Sequence, residues 1–187
     1  MPISVIWEFT MSSLAYNEKY TVEDYNIWEG DWELIYGDAY AMAPSPMYGH
    51  QFVNGKIFRQ LDEKLDDCSQ CHATIETDWQ ISEDSVVRPD SMVICYEPDE
   101  RLTKKPEIIF EVASKTTVKK DENLKFDLYQ EEGVKYYILV YPEIKKAKLY
   151  ELIDFVYRKI GDFSDEVYTF EVDSCKIDFD FDFIWRK

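Results

Sequence analysis

The chain has 187 residues, of which 45% are apolar and 16% aromatic, enough to bury one sizeable core and too apolar for a disordered segment. Twenty-one lysines and arginines face 38 aspartates and glutamates, a formal charge of −17. That excess excludes promiscuous affinity for duplex DNA, which comes from basic side chains neutralising phosphates, although the local field governs any one site.

The first ten residues, M-P-I-S-V-I-W-E-F-T, carry neither a basic segment nor a long apolar one, so no signal peptide is expected. No apolar run approaches the roughly 20 residues that span a bilayer, and a cytoplasmic protein without a membrane partner is expected. Residues 20–28 read as a short helix with Thr21 and Asp24 in a capping-box relation. Residues 32–36 and 39–43 read as a hairpin turning at Gly37 and Asp38. Glu33 lies on the first of these strands, where the alternation by itself favours a solvent-facing glutamate.

Pro44 and Pro46 interrupt the chain, and residues 49–66 read as a helix with Phe52, Ile57, Phe58, Leu61 and Leu65 on its apolar face. His50 falls in the first turn, where a lone histidine ordinarily caps or packs. Cys68 and Cys71 form a C-x-x-C beside His72, with Cys95 and Cys175 far away. No second closely spaced pair completes a zinc set, and a redox motif would follow a strand rather than end a helix. Four free thiols are therefore expected.

Residues 72–81 read as a strand and 83–85 as a turn. Pro89 then suits the mouth of a strand and places Asp90 just before the apolar run 91–96. Residues 107–113, E-I-I-F-E-V-A, form a second such run with Glu111 in its middle, where a carboxylate needs a hydrogen-bonding, ionic or metal partner. If the strands are neighbours, Asp90 and Glu111 can hold one hard cation with a few backbone or water oxygens. A turn-capping Asp90 and a Glu111 paired with Lys115 fit the spacing equally well. A helix follows, with Thr116 or Thr117 as N-cap, Leu124 and Leu128 as its apolar stripe, and Asp121, Lys125 and Tyr129 along one flank at four-residue spacing. Lys125 there reaches over the end of the sheet or pairs with Asp121.

Residues 135–141, K-Y-Y-I-L-V-Y, are the most strand-like run, and a strand, crossover helix and strand imply a parallel pair in a mixed sheet. Residues 145–151 and 155–160 suggest a further hairpin. The tail K-I-D-F-D-F-D-F-I-W lacks the glycine and distal glutamate of a calcium loop and reads as a half-buried strand with Ile177, Phe179, Phe181 and Phe183 inward. With no linker or repeat, one unit over 1–187 is expected, a core of about 20–153 followed by a β extension over 154–187.

The succession W-E-L-I-Y-G-D-A-Y-A-M-A-P-S-P, R-P-D, I-I-F-E-V-A-S-K-T-T, K-F-D-L-Y and G-V-K-Y-Y-I-L-V-Y-P resembles the Uma-two family of bacterial endonucleases, which is similar in fold to the PD-(D/E)XK nuclease superfamily. The resemblance spans about residues 20–153 and implies an α/β restriction-endonuclease-like mixed sheet flanked by helices, with core order αβββαβ. Asp90 matches the superfamily's first metal carboxylate and Glu111 its second. Position 113 is alanine where the usual lysine stands, and in this family the lysine is displaced onto the next helix, here Lys125. Glu33 and His50 fall where the family has a glutamate and a histidine. The resemblance implies phosphodiester hydrolysis in DNA with Mg²⁺ or Mn²⁺ on Asp90, Glu111 and the Val112 carbonyl, and a homodimer to cut two strands. Between residues 101 and 125 seven basic side chains face four acidic ones, a locally basic stretch in an acidic protein. The acidic charge and Ala113 leave two alternatives, an inactive binding module of the same fold and a metal-dependent hydrolase of a small phosphate ester. The second lacks a glycine-rich phosphate loop.

Overall fold

The computed structural model describes residues 18–42, 47–114 and 118–186. The N-cap Thr21 and Asp24 close the expected capping box at α1, Val22–Tyr25. Thr21→Ala removes this reciprocal cap and is expected to cost about 1 kcal/mol in urea unfolding. The first hairpin is β1, Trp32–Ile35, and β2, Asp38–Ala41. It reverses at Tyr36 and Gly37, whose φ values of 52° and 77° make a turn that suits a tight hairpin. The expected strand end at Ala43 and the break at Pro44 and Pro46 lie outside the described residues.

Next comes α2, Tyr48–Leu65, as expected. The single strand expected over residues 72–81 is two strands in different sheets, β3, His72–Ile75, and β4, Trp79–Ser82. Glu76, at φ 47°, turns the chain between them, and the Thr74 and Thr77 side chains hydrogen-bond across the bend. A strand that composition did not suggest, β5, Ser85–Val87, pairs back on β4 before β6, Ser91–Ile94, begins. Then follow β7, Ile108–Val112, a π-helical turn, Lys120–Lys125, that runs into α3, Phe126–Glu131, and β8, Tyr136–Tyr141. The expected N-caps Thr116 and Thr117 lie outside the described residues. The chain closes with β9, Lys146–Ile153, β10, Val156–Phe163, β11, Val167–Val172, and β12, Cys175–Asp180.

The main sheet has the order β10-β9-β8-β7-β6-β3. Its central β7 runs parallel to β8 and antiparallel to β6, and β6 is antiparallel to β3. Read along the chain, α2, β3, β6, β7, α3 and β8 are the expected αβββαβ core. A four-stranded sheet, β2-β1-β5-β4, and the β11–β12 hairpin complete the fold.

Alternation along β7 divides the interior. Ile108, Phe110 and Val112 face one apolar cluster with α2 and the β11–β12 hairpin, whereas Ile109 faces a second with Ile35, Trp79, Leu128 and Tyr129. The tail packs Ile177, Phe179 and Phe181 into the first cluster, and Phe183 lies in a 3₁₀ turn instead of continuing the strand. The cysteines depart from expectation. None is free: Cys68 is bonded to Cys175 and Cys71 to Cys95. Spacing could not show this, because the partners are 107 and 24 residues apart and meet only when β12 and β6 pack beside the end of α2. Among the described residues no helix is long and apolar enough to cross a membrane.

Candidate functional site

Glu111 occupies the same side of β7 as Ile109, beneath the π-helical turn. In the register of β6 with β7, Ser91 stands opposite Phe110, so one step back sets Asp90 opposite Glu111. The two carboxylates are thus cross-strand neighbours.

Asp90 is held from three directions. Its Oδ2 accepts the Val112 N–H at 2.7 Å and stands 3.3 Å from His50 Nε2. Its backbone carbonyl accepts the Asn54 side-chain amide at 3.1 Å, and the Asn54 oxygen accepts the Ser91 hydroxyl. One turn of α2 therefore supplies the histidine and the next fixes the backbone under the carboxylate. Burial works to lower the pKa of His50, but Asp90, Glu76 and a hydrogen bond to the Val112 backbone outweigh it and raise it. The charged imidazolium beside Asp90 is favoured.

Glu111 Oε1 accepts Lys125 Nζ at 2.8 Å and Tyr129 Oη at 2.8 Å. The same Nζ lies 2.7 Å from Glu33 Oε1, which also accepts the Arg88 N–H at 2.9 Å. Lys120 closes the group on the other Glu33 oxygen. Glu33, Glu111 and Lys125 are only 0%, 3% and 3% exposed, so these three groups are largely removed from bulk solvent. Glu33 is therefore no solvent-facing strand residue. It shares its side of β1 with Ile35, turned to the second cluster, and the lysines make its burial tolerable.

Burial raises the pKa of Glu33, yet Lys125 and Lys120 overcome it and hold the carboxyl at about 2. Glu111 goes the other way. Burial, together with the charges of Asp121, Asp90 and Glu33, outweighs Lys125 and pushes it up to about 8. Lys125, despite its burial, is held well above the ordinary lysine value by Glu111 and Glu33 and stays protonated.

All five side chains anticipated from sequence thus occur in one region: Glu33, Glu111 and Lys125 bond directly, and Asp90 and His50 stand beside them. The sequence reading gave no role to Lys120, and placed Tyr129 only on the flank it shares with Lys125. The reason for Lys120 is the π turn. On an α-helix of 3.6 residues per turn, residues five apart diverge by about 140°. A π turn, closed between i and i+5, brings Lys120 and Lys125 back to one side.

Asp90 and Glu111 are the two carboxylates that could offer oxygens to a hard divalent cation, while Glu33 and Asp121 act on Glu111 through their charge, and Lys120, Lys125 and His50 are the neighbouring cations. Burial first, and then the charges of Asp121, Asp90 and Glu33, drive the Glu111 carboxyl towards neutrality.

Two comparisons bear on these observations. Residues 22–169 match the model of the Uma2 family, described as "Putative restriction endonuclease". The fold is similar to a crystal structure described as "a putative nuclease belonging to DUF820" from Anabaena variabilis, with TM-score 0.70 and 15% identity over 88% of this chain and 97% of that one. Among curated proteins none matches the chain.

Proposed function

The chain belongs to the Uma2 family of restriction-endonuclease-like proteins, and from that premise we propose that it hydrolyses phosphodiester bonds in DNA with Mg²⁺ or Mn²⁺ held by Asp90, Glu111 and the Val112 carbonyl. The observation that carries this reading is the cross-strand carboxylate pair, Asp90 opposite Glu111 at the edge of the Lys125 network. A bound divalent ion supplies Lewis acidity at the phosphate and a more acidic bound water.

The protein's own groups do the rest. Glu33 fixes Lys125, and Lys125 with Tyr129 orients Glu111 through its Oε1. Lys125 remains charged throughout, so it acts by orienting the attacking water and offsetting negative charge as it develops, not as a base. His50 holds Asp90 from α2 and, as an imidazolium, offsets its charge. Cleavage of both strands of a duplex requires two such sites, which a homodimer would supply.

One observation favours a second reading, an inactive binding module: Lys125 and Lys120 already pair both Glu33 oxygens and one of Glu111. Thermal unfolding separates the two. Millimolar Mg²⁺ or Mn²⁺ is expected to raise the Tm, by mass action on the native state alone, and Glu111→Gln to cancel the rise. Below pH 8 the ion must displace the Glu111 proton, so its affinity is expected to climb about tenfold per pH unit from pH 6 and to level off above about 8. An unchanged Tm at every pH in that range would support the module.

A further inference from the structure

We propose that Cys68, Cys71, Cys95 and Cys175, when reduced, form a structural tetrathiolate site for one Zn²⁺. The Sγ atoms of Cys68, Cys71 and Cys175 lie within 4.8 Å of one another, and Cys71 is joined to Cys95. The two disulfides therefore meet: three sulfurs form one group, and the fourth, on Cys95, is held against it through Cys71. Independent cross-links have no reason to coincide, whereas a tetrahedral cation requires it. A Zn–S distance of about 2.3 Å spaces the sulfurs of a tetrahedron about 3.8 Å apart.

The local chain has the form such a site uses. Cys68 and Cys71 have the C-x-x-C spacing and sit on a turn in which the Cys71 N–H donates to the Cys68 carbonyl at 3.1 Å. Cys71 precedes β3 and Cys95 follows β6; with His72 opposite Ile94, the two cysteines are cross-strand neighbours. Cys175 opens β12 and brings the fourth sulfur from the C-terminal hairpin. Cys68 and Cys71 are buried, so their thiolates need a counter-charge in place. An all-sulfur set is soft and selects zinc over the hard ions suited to Asp90 and Glu111.

The chemistry balances. Each disulfide takes two electrons and two protons from a dithiol reductant to give two thiols, and binding of Zn²⁺ by the four thiols releases four protons. The ion would pin the end of α2, the β3–β6 pair and the β11–β12 hairpin together, at the opposite end of α2 from His50. The site is independent of the carboxylate centre and of the nuclease reading.

The test uses the full chain purified under a non-chelating reductant, its zinc and thiols counted, and Co²⁺ then exchanged for the zinc. About one zinc per chain is expected, with four thiols that become reactive only when it is removed. The cobalt form should show the visible bands of tetrahedral tetrathiolate coordination, and a thiol oxidant should release the metal. Cys95→Ser and Cys175→Ser should each lose the zinc to EDTA, while Glu111→Gln should keep it. Reduced wild-type protein that takes up neither zinc nor cobalt would overturn the proposal even if the serine variants failed to fold. So would zinc retained undiminished by both variants.

Discussion

Glu111→Gln is expected to abolish metal-dependent cleavage of DNA, by about a thousandfold or more, while leaving the fold intact. The amide is the same size as the carboxylic acid and keeps an oxygen to accept from Lys125 and Tyr129, so it mimics the neutral form towards which the surroundings already push Glu111. It cannot carry the negative charge a divalent ion needs, and losing that ion removes several kcal/mol of transition-state stabilisation. Asp90→Ala should be equally inactive. Glu111→Ala is a poorer probe, because it leaves the Lys125 ammonium in the core with one carboxylate fewer and should also destabilise the protein by about 3 kcal/mol or more. The measurement is cleavage of supercoiled, linear, single-stranded and branched DNA at low salt in Mg²⁺ and in Mn²⁺. Cutting by Glu111→Gln or Asp90→Ala at the wild-type rate would remove these carboxylates from the chemistry.

Lys125→Met is expected to produce the largest loss of stability, about 3–5 kcal/mol, or a fall in Tm of about 10 °C. The lysine is buried between Glu33 and Glu111, and methionine of similar volume fills the space without the charge. Glu33 is then left with Lys120 alone, and Glu111 loses the lysine that pairs with it. Glu111 is already protonated below about 8, so the pH dependence is that of Glu33: its carboxyl, held at about 2 by the two lysines, rises in the variant, and the deficit should shrink as the pH is lowered from neutral into the acid range. Urea unfolding of wild type and variant across that range measures it. Lys120→Met should cost less, since Lys120 reaches Glu33 from a half-exposed position. A deficit independent of pH would mean that lost packing, not lost charge, destabilises the variant.

The two strand carboxylates were legible as candidates because their signals are local. Asp90 after a proline and Glu111 inside an apolar run are anomalies that a chain of letters displays, whereas Lys125 is singled out by the family resemblance and not by its spacing. Other features have no local trace. Glu33 looks like an ordinary polar position on a half-buried strand. It becomes a core residue only because β5 pairs with β1 and the π turn lowers two lysines onto it. The bend at Glu76 escaped for a related reason: β3 and β4 form one continuous polar and β-branched run, and the left-handed residue dividing them is a glutamate rather than a glycine.

The cysteines show the division most plainly. Residue types, their order and their periodicity determined most of the elements, the αβββαβ succession and the two strand carboxylates, since each depends on neighbours a few positions away. Partnerships across long separations were decided by tertiary structure alone: Cys68 with Cys175, Glu33 with Lys120 and Lys125, and Asp90 with His50. The physical reason is that period and propensity act over one or two turns of chain. A charge in the core, by contrast, is stabilised by whichever group the packing of sheets and helices brings to within about 3 Å of it.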